Sequence, residues 1–96
     1  MKIEHKDRES RGAFFAIEND RTIGELTYVW HGNNYFIIDH TEVIDQYQGE
    51  GVGRKLVAEA VKFAQKNGYT IYPQCPFAQH VFDTTPTYKA IKKEHK

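Results

Sequence analysis

One cysteine, Cys75, is all the chain contains. A lone thiol cannot build an internal disulfide framework, and it fits a reducing cytoplasm. The same count excludes structural zinc sites that draw two or more cysteines from one chain. A surplus of either charge is also missing, because 13 Lys and Arg balance 13 Asp and Glu. Proteins that live on nucleic acid or anionic membrane usually carry a basic excess. Neither partner is therefore expected, and any anionic ligand must be gripped locally. No apolar run approaches the ~20 residues of a membrane span. Residues 1–11 are mostly charged and lack the apolar centre of a signal peptide. No repeat, linker or Ser/Gly tract divides the 96 residues, so one domain, 1–96, with one modest core is expected. What the chain does have is aromatic side chains, at 14%, enough to furnish that core or a ligand-lined cleft.

The first half reads as strands. The apolar run 13–17 ends at the turn pair Asn19-Asp20, and residues 22–29 resume with β-branched and aromatic side chains. The segment His31-Gly32-Asn33-Asn34 supplies a second turn before a third strand, 35–44. Strict alternation there puts Phe36, Ile38, His40 and Glu42 on one face and Ile37, Asp39, Thr41 and Val43 on the other. Residues 13–44 are thus expected as an antiparallel meander. The period then changes. Val52, Leu56, Val57, Ala60, Val61 and Ala64 form a helical stripe over 51–66, closed by Asn67-Gly68. Residues 69–72 read as a strand stopped by Pro73, which completes a strand–helix–strand unit. Short helices are expected over 77–82 and 87–93, with Thr85 as N-cap and Pro86 at the first position of the second.

The chemistry concentrates in Gln48-Gly49-Glu50-Gly51-Val52-Gly53-Arg54, between a strand and a helix start. Alternating glycines permit positive φ and close approach to a ligand. A helix N-terminus offers unpaired N–H groups and a positive dipole end, which together suit phosphate or pyrophosphate. Arg54 and Lys55 add local charge. The dinucleotide fingerprint fails, because the sixth position counted from Gly49 is Arg54, and the Gly-Lys-Ser/Thr of a P-loop is absent. The pattern that fits is Gln-x-x-Gly-x-Gly, with Gln48, Gly51 and Gly53.

This loop resembles the acetyl-CoA pyrophosphate loop of the GNAT superfamily of acyltransferases. The resemblance extends through His40-Thr41-Glu42-Val43, the long helix and Pro73-Gln74-Cys75-Pro76-Phe77 to small, minimal GNAT-like proteins. It implies an α+β fold with a mixed, mostly antiparallel sheet, one long crossover helix and short C-terminal helices. Acetyl-CoA would lie between diverging parallel strands, here 35–44 and 69–74. The implied activity is acetyl-CoA binding with N-acetyltransfer to an unidentified amine or protein acceptor. The alternative is a non-catalytic acyl-CoA-binding module. The chain length suffices for the cofactor half of such a fold and leaves little for an enclosed acceptor site. The amides of Gly49, Glu50, Gly51, Val52, Gly53 and Arg54 would hold the pyrophosphate, and main-chain groups of Val43 and Ile44 the pantetheine.

Each catalytic candidate keeps a plainer alternative. Cys75 is a thiol that accepts the acetyl group, or a buried apolar cysteine. His40 and Glu42 are bases for the amine, or a hydrogen-bonded sheet histidine and a solvated strand end. Tyr88 resembles the tyrosine that protonates the departing CoA thiolate, or packs in the core. Lys89 reaches the adenosine 3′-phosphate, or is solvated with Lys92 and Lys93. His5, His31 and His95 show no paired ligand spacing, so no metal is expected.

Overall fold

The computed structural model describes residues 1–94; His95 lies outside them. Strands β1 (Lys2–Asp7), β2 (Arg11–Glu18), β3 (Arg21–His31) and β4 (Tyr35–Val43) form an antiparallel meander. Helix α1 (Val52–Asn67) crosses over to β5 (Thr70–Pro73), which pairs parallel to β4, giving a sheet ordered β1-β2-β3-β4-β5. Helix α2 (Pro76–Asp83) and a 3-10 helix (Pro86–Ile91) follow. This is the mixed, mostly antiparallel architecture implied by the resemblance.

Local chemistry explains the turns. Asn19 and Asp20 both take positive φ, 52° and 64°, between the paired residues Glu18 and Arg21. Two left-handed central residues match the right-handed twist of the flanking strands. Gly68 caps α1 in the same region, with φ 77°. The stripe Val52, Leu56, Val57, Ala60, Val61 and Ala64 is buried and joins Phe14, Ile23, Leu26, Phe36, Ile38 and Ile71 in one core. Among the described residues no helix is long and apolar enough to cross a membrane.

Three expectations need correction. Strand β1 lies within the charged segment 1–11, which carries no apolar alternation to mark a strand. Only Ile3 of its six residues is even half-buried. It is held by side chains: Tyr28 Oη donates to Asp7 Oδ1 (2.9 Å), Trp30 Nε1 donates to the same oxygen (2.8 Å), and His5 Nε2 lies 2.6 Å from Tyr28 Oη. Because the phenol proton goes to Asp7, His5 is the donor to Tyr28. Second, the last short helix is a 3-10 helix over Pro86–Ile91 and does not reach residue 93. Thr85 makes no side-chain cap, and Lys92 bridges to Ile71 of β5. Lys93 N–H donates to Ile71 O (2.7 Å), and its ammonium sits 5.0 Å over the Tyr35 ring.

The third correction decides the site. Thr27 pairs with His40 but Tyr28 pairs with Ile38, so Asp39 is an extra residue in β4, a bulge. A bulge shifts the alternation by one. Phe36 and Ile38 stay in the core, whereas His40 and Glu42 turn outward beside Thr27 and Glu25. Thr41 and Val43 turn to the helix side instead. Asp39 is fixed by Thr27 Oγ1 (2.7 Å) and lies 3.9 Å from Arg11 Nη2.

Candidate functional site

Parallel pairing between β4 and β5 stops at Ile38 and Pro73. Ile38 O accepts both Gln74 N–H (3.0 Å) and Cys75 N–H (3.1 Å), after which β5 leaves the sheet and β4 runs on paired with β3 only. The fork opens into a cleft of about 600 Å³. Its strand wall is Thr41 and Val43, its far side is Phe77, and its loop end is Tyr47, Gln48, Gly49, Gly51, Val52, Gly53 and Arg54.

The loop has the backbone that its glycines suggest. Gly49 and Gly51 are left-handed, φ 85° and 81°, and a Cβ at either would meet only open space. Conformation, not crowding, therefore asks for glycine there. Gly53 is different. It lies inside α1, and a Cβ there would come within 2.7 Å of the Phe77 ring. Gly51 is the N-cap of α1 and, as glycine, caps it with no side chain. The first N–H groups of a helix lack intrahelical acceptors, so here they face the cleft without a side-chain partner. Arg54 donates to Thr84 Oγ1 (3.0 Å) and makes no ion pair among the described residues. Its charge is thus available to an anion. Gln48 Nε2 ties the loop back to the strand end through Val43 O (3.1 Å) and Asp45 Oδ1 (3.4 Å).

Behind the strand wall, Cys75 is buried and N-caps α2, its Sγ accepting from Ala78 N–H at 3.4 Å. The same sulfur lies 3.4 Å from Thr41 Oγ1, a hydroxyl of the cleft wall.

The remaining candidates lie apart from this lining. His40 and Glu42 touch each other, Nε2 to Oε1 at 3.3 Å, on the outer face, with side chains 56% and 71% exposed. Ile44 N–H already donates to Ile23 O (2.9 Å), which leaves it no N–H to offer pantetheine. Glu50 and Lys89 are exposed, and Tyr88 packs on Phe82 with ring centroids 5.4 Å apart. Sequence reasoning gave no role to Thr41, Tyr47 and Phe77. For Phe77 a signal existed: it is an aromatic off the buried stripe Ala78, Val81 and Phe82 of α2.

Similarity to known proteins agrees with this geometry. A structure of a GCN5-like protein from Staphylococcus aureus is 33% identical, covers 97% of this chain and 90% of its own, and superposes with a TM-score of 0.70. Protein NATD1 of Mus musculus is 24% identical over 93 residues, 97% of this chain and 84% of its own length. An acetyltransferase of Bacillus anthracis, assigned to streptothricin and solved with acetyl coenzyme A, is 26% identical over 68% of this chain and 38% of its own, with a TM-score of 0.59. The profile of the GCN5-related N-acetyl-transferases matches residues 13–91, four-fifths of the chain including the whole cleft, and the chain belongs to that family.

Proposed function

We propose that this chain binds acetyl-CoA as a single domain and transfers the acetyl group to an amine. One observation carries the reading: two left-handed glycines lead into a helix start without a side-chain cap, beside an Arg54 that makes no ion pair among the described residues, on a cleft whose wall residue Thr41 lies against a buried thiol. That donor set fits a pyrophosphate. The relative solved with acetyl coenzyme A supports the same choice of ligand. When bound, acetyl-CoA supplies an activated acetyl thioester. The N–H groups of residues 49–54 and the Arg54 guanidinium hold the phosphates, Gln48 fixes the loop, and Val43 and Phe77 flank the arm. The tie between Gln48 and Val43 keeps the loop end in place before any ligand arrives, so little ordering is left for the binding step.

A second reading concerns the route, and the 3.4 Å approach of Thr41 Oγ1 to Cys75 Sγ favours it. Cys75 sulfur takes the acetyl group and releases the CoA thiol. The amine then takes the acetyl group from sulfur, and the cysteine thiol is restored. In either route His40 and Glu42, on the outer face of β4, serve as proton acceptors for an amine arriving from that side. Tyr88 and Lys89 are assigned no contact with the arm.

The experiment is thermal unfolding with acetyl-CoA, ATP and NAD in parallel. Acetyl-CoA is expected to raise the midpoint and the others not. Gly51→Asp places a carboxylate where the phosphate sits, and affinity is expected to fall at least about a hundredfold. Undiminished affinity in that variant would refute the loop assignment.

A further inference from the structure

We propose that Phe77 is the residue that recognises the pantetheine arm and sets its affinity apart from that of the nucleotide end. The inference rests on the acetyl-CoA reading above. Among the described residues only Met1 and Phe77 are large apolar side chains in the exposed class, and Phe77 is 37% exposed. Met1 is at the chain end, whereas Phe77 sits on a packed helix. Its neighbours Ala78, Val81 and Phe82 are buried, so the helix that carries the ring is held in the core. One edge rests on Gly53, close enough that a Cβ there would lie 2.7 Å from Cζ and 2.8 Å from Cε2. The remainder lines the cleft with Val43, Tyr47 and Thr41.

Phe77 therefore touches the first turn of α1 and stands two residues beyond Cys75. A ligand with its phosphates at the loop and its thioester near Cys75 must pass this ring. An anchored aromatic with an open apolar face gains from being covered by an apolar segment, and pantetheine carries geminal methyl groups. The nucleotide end, held by backbone N–H groups and Arg54, makes no such demand.

Calorimetric titration with two probes separates the parts: acetyl-CoA, and 3′-phospho-ADP, which has the phosphates but no arm. Phe77→Ala is expected to weaken acetyl-CoA about tenfold while 3′-phospho-ADP changes by less than about twofold. Phe77→Leu, which keeps apolar bulk and the helix packing, is expected in between, and it replaces the alanine variant if that one does not fold. Gly53→Ala forces the ring toward the cleft. It is expected to weaken acetyl-CoA clearly more in the unaltered protein than in the Phe77→Ala protein. Equal losses on both probes, no loss on either, or a Gly53→Ala effect independent of Phe77 overturns the proposal. Failure of the unaltered protein to bind acetyl-CoA overturns the acetyl-CoA reading instead.

Discussion

At the residue scale, the Tyr28 phenol shows how a polar group enters the core without loss. The side chain is fully buried, yet its hydroxyl both accepts from His5 and donates to Asp7. Burial and the Asp7 carboxylate push its ionisation well above the ordinary phenol value. His5 is stacked on Phe14 at 4.0 Å and edge-on to Phe63 at 4.5 Å. Desolvation lowers its pKa below the usual 6.5, with Asp7 opposing. The unfolded chain therefore binds this proton more readily than the folded one. The His5 contribution is complete above the ordinary histidine value and is lost as pH falls through it toward the folded value. Because the residue retains solvent access, the effect is modest. Urea midpoints measured from pH 8 down to pH 5 are expected to decline less for His5→Gln than for the unaltered protein; parallel curves would sink the assignment. None of this was legible locally. The segment Lys2–Asp7 shows one apolar residue, and its partners lie 21 to 23 positions away.

At the element scale, α1 and the turns were legible because short-range rules fix them. The stripe of α1 needs only a 3.6 period, and Asn19, Asp20, Gly49 and Gly51 occupy the left-handed positions that their types suit. The bulge was not legible. An extra residue at Asp39 depends on pairing with β3, and it reverses which β4 side chains reach the cleft. Counting by twos thus selected His40 and Glu42 and passed over Thr41. The start of α2 carries its own test. Cys75→Ala removes the sulfur that accepts Ala78 N–H and is expected to cost about 1 kcal/mol in stability. Cys75→Ser keeps a cap and a partner for Thr41. If the acetyl group passes through sulfur, the serine variant keeps its stability and loses turnover, and the unaltered protein gains the mass of one acetyl group at Cys75. An unmodified thiol beside an active serine variant would remove the relay and leave direct attack by the amine.

At the scale of the whole molecule, one core joins α1, α2 and four of the five strands, β2 to β5. The Cα radius of gyration is 12.6 Å, close to the ~12.5 Å expected of a compact chain of this length. The protein is expected to unfold in a single cooperative transition by calorimetry and circular dichroism together. Acetyl-CoA at a hundred times its dissociation constant should add about 2.7 kcal/mol. Two separable transitions would contradict a single domain. The glycine at the head of α1 gives this linkage a further meaning. Serine, threonine, aspartate or asparagine there would finish the helix from within the chain. Gly51 leaves the helix incomplete, and in the proposed complex the missing cap is the pyrophosphate itself. Ligand and side chain are then rivals for one set of amides. A substitution that made the empty protein sturdier by capping α1 would do so with the same hydrogen bonds that hold the ligand, so at this position selection for robustness and selection for binding pull in opposite directions.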